Sequence, residues 1–292
     1  MKKIKKLIIP AAGWGTRFLP LTKVIHKELV PILNRPLIDL LVEEALKSDI
    51  EEIIIIISNR KHNVIDYFNV DYELQTELVE KNKFDLLEEI KHTNLNVITK
   101  VIQTEQLGLG HALACAKAYI HNEPFAVILG DDLIKGKVPA IKQLIEAYYQ
   151  SNGQNILGVQ EVKEKDIHKY GIVKPINNLN EETKLFEIED AIEKPEPKNA
   201  PSNKAILGRY VFNPEILDIL SNIKINKNKE LQVVDAFKIL KEKYHQKIYG
   251  LIFDGIRYDL GSMEGFVKAN IDYALDNKDI KDEILDFIKT KI

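Results

Sequence analysis

The sequence predicts an α/β protein with a mostly parallel sheet flanked by helices and added β structure in its second half. Three observations predict it. Apolar runs of strand length alternate with helical patterns up to about residue 135, those runs are continuous, and beyond Gly136 shorter β-like pieces carry loops. A continuous apolar strand needs cover on both faces, the usual position of a parallel strand in βαβ order, whereas a half-exposed strand alternates polar with apolar residues.

The elements follow in order. KKLIIPAA reads as a strand, PLIDLLVEEALKS as a helix, and EEIIIIIS, with Ile53 to Ile57 at its centre, as the clearest buried strand. A helical stretch reaches about His92, then come strand NVITKVIQ, helix HALACAKAYI and strand FAVILG. A helix is predicted near Pro139 to Gln150, followed by strands at ILGVQEV, LFEIEDAIEK, AILGRYVF and QKIYGLIF, with the polar loop EKPEPKNAPSNK among them. In the stretch from Met263 to Ile292, Ile280, Ile284 and Ile288 recur at helical spacing, which predicts a helix packed on its own domain or on another subunit.

With 292 residues and 45% hydrophobic content, the chain can bury a sizeable core. Its net charge of −3 comes from 41 basic and 44 acidic residues, well mixed, so nothing draws it generally to nucleic acid or to an anionic membrane. An anionic ligand must be held by local charges. The single cysteine, Cys115, forms no internal disulfide; in the small-residue run HALACAKA it is expected to be a buried thiol, which fits a reducing cytoplasm. MKKIKK imitates the start of a signal peptide, yet only Leu7, Ile8 and Ile9 precede Pro10, short of the ~7 to 15 apolar residues such a segment needs. The apolar block Ile53 to Ile57 is likewise far below the ~18 residues of a membrane-spanning helix.

Chemistry gathers where strands end. Gly13 and Gly15 follow the first strand directly, so backbone N–H groups there can approach a phosphate. The dinucleotide fingerprint is excluded: position 18 is Phe, Pro20 blocks an immediate helix, and the second strand ends in Ser58-Asn59 rather than an acid. No Walker GKS or GKT occurs. The loop instead carries Arg17, Lys23 and Lys27, which suits a polyphosphate. A second glycine loop, QTEQLGLGHALACA, places Gly108 and Gly110 after another strand, and the amide of Gln103 offers a donor and an acceptor side by side for part of a uracil or thymine edge. FAVILGDDL ends in Asp131 and Asp132, which repel unless a cation intervenes; Mg²⁺ is the natural candidate, with a second carboxylate from Asp259 of RYDLGS. FEIEDAIEKP closes on Glu193 and Lys194, and AILGRYVF carries Gly208, Arg209 and Tyr210.

Taken together, PAAGWGTRFLPLTKVIHKELVPILNRP, GLGHA, GDDL, KYGIV, EKP, GRYV and RYDLGS resemble, in that order, the bacterial UTP–glucose-1-phosphate uridylyltransferases. This resemblance, running from about Lys2 to Asn270, implies a Rossmann-like mixed sheet, transfer of UMP from UTP to glucose 1-phosphate with loss of pyrophosphate, and Mg²⁺ as cofactor. It also implies one nucleotidyltransferase domain over 1–292, with a nucleotide-binding part to about 135, a sugar-binding part to about 262 and C-terminal helices beyond. By resemblance, Ala11, Ala12, Gly13, Gly15, Thr16 and Arg17 line the triphosphate, Lys27 pairs with it, and Gln103 with Gly108 reads the uracil. Asp131, also part of the nucleotide site, and Asp259 carry the metal. Asp132, Gly171, Glu193, Lys194 and Gly208 serve the sugar phosphate, and Arg17, Lys27 and Lys194 act in catalysis. Trp14 stands where the family often has a smaller aliphatic residue, and His26 replaces the usual proline before Lys-Glu. A cytoplasmic homo-oligomer, tetramer or dimer, acting on small molecules is implied, with no nucleic-acid or membrane partner.

A phosphate oxygen of the sugar is already an anion, so in-line attack on the α-phosphorus needs positioning and charge neutralisation rather than a general base. Three rivals remain at this level. A dTTP-dependent thymidylyltransferase is separated by comparing nucleotides, a UDP-sugar glycosyltransferase by pyrophosphate dependence, and an inactive regulatory subunit by its expected loss of charged site residues, all of which are present here.

Overall fold

The computed structural model describes residues 2–176, 182–225 and 229–291; Met1 of the MKKIKK start and Ile292 of the C-terminal stretch lie outside the described residues. The chain opens with strand β1 (Lys6–Pro10), a short β2 (Pro31–Ile32) and β3 (Arg35–Pro36), helix α1 (Leu37–Leu46) and strand β4 (Glu52–Ile57). The predicted helical stretch to His92 is three helices, α2 (His62–Asp66), α3 (Tyr72–Glu80) and α4 (Phe84–Lys91). Next come β5 (Ile98–Ile102), α5 (Leu109–Cys115), α6 (Lys117–Ile120), β6 (Phe125–Ile128), β7 (Asp132–Lys135) and α7 (Ala140–Gln150). The second half holds β8 (Asn155–Glu161), β9 (Gly171–Pro175), β10 (Leu185–Glu193), β11 (Lys204–Phe212), α8 (Glu215–Asn222), α9 (Phe237–Tyr244), β12 (Ile248–Ile252) and β13 (Ile256–Asp259). It closes with two helices, α10 (Met263–Asp276) and α11 (Lys281–Lys289).

Nine strands form one sheet in the order β5-β4-β1-β6-β11-β8-β12-β10-β9. β5, β4, β1 and β6 run parallel, as does the β8–β12 pair. The remaining pairings are antiparallel. The expectation of a mostly parallel sheet is therefore corrected to a mixed one. The inference from continuous apolar runs fails for a physical reason: β11 lies mid-sheet and is buried from Ala205 to Phe212, so an antiparallel strand covered on both faces is as uniformly apolar as a parallel one.

Side-chain alternation along each strand builds two cores. Leu7, Ile9, Ile53 and Ile55 face α1 and α7, while Ile8, Ile54 and Ile56 face α5, α8 and α9. Cys115, expected to be buried, is only half covered at the end of α5, where partial burial pushes its thiol pKa up. Among the described residues, no helix is long and apolar enough to cross a membrane.

Candidate active site

The order of the parallel strands opens the site. The chain steps from β1 to β4 and β5 on one side, then returns to β6 on the other side of β1, so a crevice forms at the carboxyl ends of β1 and β6. The two loops touch there: a Cβ on Gly130 would stand 2.9 Å from the Pro10 carbonyl oxygen. The crevice encloses about 510 Å³, room for a nucleotide. Its walls include every residue that the family resemblance assigned to binding, catalysis or metal except Ala11 and Gly208. Ala11 lies in the core behind the loop, and Lys23 is exposed and lines no part of the crevice.

In the first loop, Gly15 adopts φ 68°, a left-handed conformation costly for other residues, and its carbonyl accepts a 2.8 Å bond from Thr22 Oγ1. A Cβ at Gly13 meets nothing within 4 Å, so glycine there keeps backbone N–H groups open to a ligand rather than relieving packing. His26, in place of proline, takes φ −68°, the value a proline ring imposes, and its Nε2 lies 3.0 Å from the Arg60 carbonyl oxygen. The Arg60 guanidinium sits 5.4 Å from the Trp14 ring centroid. Both departures from the family's pattern thus meet at Arg60.

Beneath the loop lies a group the sequence analysis missed. Lys61 Nζ donates to Glu28 Oε1 at 2.9 Å, Glu28 Oε2 at 2.8 Å and the Ala11 carbonyl at 2.8 Å, with the side chains only 4% and 0% exposed. Burial lowers the Lys61 pKa despite the facing carboxylate. The pair ties the end of β1 to the turn carrying Lys27. Replacing Lys61 with Met should cost about 3 to 5 kcal/mol of unfolding free energy, because Glu28 is left buried without its partner. Denaturant unfolding measures it, and a loss below about 1 kcal/mol would contradict a buried pair of this kind. Lys61 was legible only as a polar residue just past an apolar strand.

The carboxylates converge through a ribbon apart from the main sheet. β13 pairs antiparallel with β7, placing Asp259 opposite Asp132, and the Leu260 N–H donates to the Asp131 carbonyl at 2.9 Å. Arg17 reaches both acids, 3.6 Å from Asp131 Oδ2 and 3.9 Å from Asp259 Oδ1. Lys27 Nζ donates to Asp131 Oδ2 at 2.9 Å. Burial opposes both charges, yet Asp131 and Glu28 raise the Lys27 pKa, while Lys27 and Arg17 lower that of Asp131. Asp132 differs: burial and the neighbouring Asp131 hold its pKa above the usual carboxylate range, even though Arg257 Nε donates to it at 2.6 Å.

Arg257, also unrecognised in the sequence, packs its guanidinium on the Tyr170 ring and donates to the Tyr170 hydroxyl at 3.0 Å. Its signal was strand periodicity, since residues 257 and 259 share one face of β13. Gly208 has a steric role: at φ 59° it leaves room for Asp132, whose Oδ2 would lie 2.3 Å from a Cβ. Arg209, fully buried, grips Glu44 through Nε at 2.9 Å and Nη2 at 2.6 Å and also donates to the Asp132 carbonyl at 2.9 Å.

Across the crevice, Gln103 is 3% exposed and donates through Nε2 to His111 Nδ1 at 2.9 Å and to the Gly108 carbonyl at 3.4 Å. The expected donor-and-acceptor pair is therefore reduced, because the protein itself uses the donor. Gly108, at φ 100°, packs on Leu231, whose carbonyl oxygen would stand 2.5 Å from a Cβ. On the other wall, Lys194 takes φ 45° and its N–H donates to the Tyr170 carbonyl at 3.0 Å; Nζ lies 3.4 Å from Glu193 Oε1. A Cβ on Gly171 would meet Glu193 Oε2 at 3.1 Å.

The model of the nucleotidyl transferase family matches residues 6–275, a span holding every side chain of this crevice. The chain belongs to the nucleotidyl transferase family. Within this family it is 48% identical over 290 residues to the UTP–glucose-1-phosphate uridylyltransferase of Staphylococcus haemolyticus, covering 99% of each chain. It is similar to a solved UDP-glucose pyrophosphorylase complexed with UDP-glucose, with TM-score 0.82, 39% identity, and coverage of 94% of this chain and 100% of that one. A UTP-bound UGPase from Acinetobacter baumannii matches with TM-score 0.88 and 35% identity over 98% of each chain. In this nucleotidyltransferase, the expected Rossmann-like mixed α/β architecture is present.

Proposed function

We propose that this chain transfers UMP from UTP to glucose 1-phosphate, giving UDP-glucose and pyrophosphate. The observation that carries the reading is the meeting of Lys27, Arg17, Asp131 and Asp259 at the mouth of two glycine loops, in a chain 48% identical to an enzyme of that name. Gly13, Gly15, Thr16 and Arg17 face the triphosphate, and Lys27 neutralises charge near the α-phosphate. A sugar-phosphate oxygen forms the new bond to the α-phosphorus as the bond to the β-phosphate oxygen breaks. No residue needs to take a proton, because glucose 1-phosphate, with a second pKa near ~6, is mostly dianionic at neutral pH.

Mg²⁺ fits the donor set. Two carboxylates from different elements already converge on one cation, the Arg17 guanidinium. No group of three acidic, histidine or cysteine ligands occurs among the described residues, and an ion that completes its shell with substrate oxygens and water requires none. Asp131 and Asp259 would hold it, and it would supply charge neutralisation at the phosphates. The reading extends to a cytoplasmic homo-oligomer: the lone Cys115 suits a reducing compartment, and Met263, Val267 and Ile271 make an exposed apolar stripe along α10.

Pyrophosphate release measured with UTP, dTTP, CTP, ATP and GTP against a set of sugar 1-phosphates tests the assignment. UTP with glucose 1-phosphate should give the highest kcat/KM, and a clear preference for dTTP would overturn it. Lys194, beside the sugar wall, should act on the other substrate. Lys194→Ala is expected to raise the KM for glucose 1-phosphate or lower kcat by at least ~10-fold while changing the KM for UTP by less than about threefold. A rise confined to the KM for UTP would reverse the assignment.

A further inference from the structure

The Gln103 amide is oriented by the protein before any base arrives. The Gly108 carbonyl can only accept, so the atom facing it is Nε2, and His111 Nδ1 must accept the other Nε2 hydrogen, which places the His111 ring proton on Nε2. Gln103 Oε1 has no partner among the described residues. No unpartnered side-chain oxygen or nitrogen among those residues is fully buried, so Oε1 keeps some exposure, and Gln103 lines the crevice.

We infer that His111 is the positioning residue that sets base specificity: by accepting from Gln103 Nε2 it holds a lone carbonyl acceptor toward the base. Uracil and thymine present an N3–H donor to such an acceptor. Cytosine presents an unprotonated N3, and two acceptors then face each other without a proton. If Gln103 could rotate freely, its Nε2 would satisfy cytosine equally well. His111 does not line the crevice, so it acts through Gln103 alone. The inference rests on the uridylyltransferase reading and on Gln103 meeting the base.

The test measures Kd for UTP, dTTP and CTP by quenching of Trp14, the single tryptophan and a crevice residue, alongside kcat/KM for each nucleotide. His111→Phe removes the acceptor and should lower the UTP-over-CTP ratio at least ~10-fold, leaving UTP over dTTP unchanged. His111→Ala carries the same expectation should the Phe variant not fold. His111→Asn, whose Oδ1 can accept in place of Nδ1, should hold the ratio within about threefold of wild type. Gln103→Met separates the two levels. If Gln103→Met loses the UTP-over-CTP ratio while His111→Phe and His111→Ala keep it, the role of His111 is overturned and base reading by Gln103 stands. If Gln103→Met also keeps the ratio, base reading by Gln103 fails and the inference with it.

Discussion

Asp131→Ala and Asp259→Ala are each expected to lower kcat at saturating substrate by ~10²- to 10³-fold or more, as losing a preorganised group at developing phosphate charge does. Asp131 carries the larger share, because it accepts from Lys27 and approaches Arg17, so its removal also leaves the 17% exposed Lys27 amine without its nearest counter-charge. Asp131→Asn separates these effects: it keeps the shape and still accepts a hydrogen bond, but it cannot hold a divalent cation with the same charge. Asn and Ala should therefore fail nearly alike if metal binding dominates, with raised Mg²⁺ requirement in whatever activity remains. Retention of more than about a tenth of wild-type kcat in both alanine variants, about 1.4 kcal/mol of barrier or less, would remove the metal assignment.

Lys27→Ala should cost ~10²- to 10³-fold in kcat, since Lys27 is the most enclosed cation on the first glycine loop and the Asp131 carboxylate fixes its position. The sign of its titration adds a second readout. Burial alone would lower its pKa, but Asp131 and Glu28 raise it above the ordinary 10.5, so the ammonium stays charged throughout the neutral and mildly alkaline range. The kcat of the unmodified enzyme should thus stay flat from about pH 7 to pH 9, with no limb from this lysine. A loss below tenfold in Lys27→Ala, or an alkaline limb in wild type that disappears in that variant, would show that Lys27 does something else. Lys27→Arg keeps the charge in a larger planar group and should recover only part of the loss, because the single short contact to Asp131 suits an ammonium.

Much of this protein was legible in its sequence because the relevant physics is local. Strand and helix periods placed β1, α1, β4, β5, β6, α7, β8, β10, β11 and β12, and glycines directly after strands marked both loops. Asp131 and Asp259 stood out as charges where apolar runs end, and Lys27 as a cation of the first glycine loop. Three things needed the tertiary structure. Strand direction is one: burial on both faces makes β11 look the same whichever way its neighbours run, so the sheet proved mixed. The second is long-range pairing. Lys61 with Glu28 and Arg209 with Glu44 are separated by 33 and 165 residues, and a charge in a sequence carries no mark of the partner that makes its burial tolerable. The third is hydrogen-bond direction. The sequence could name Gln103 as a base reader, but only the positions of Gly108 and His111 decide which end of its amide is free, because an amide turned half around has the same shape and the opposite chemistry.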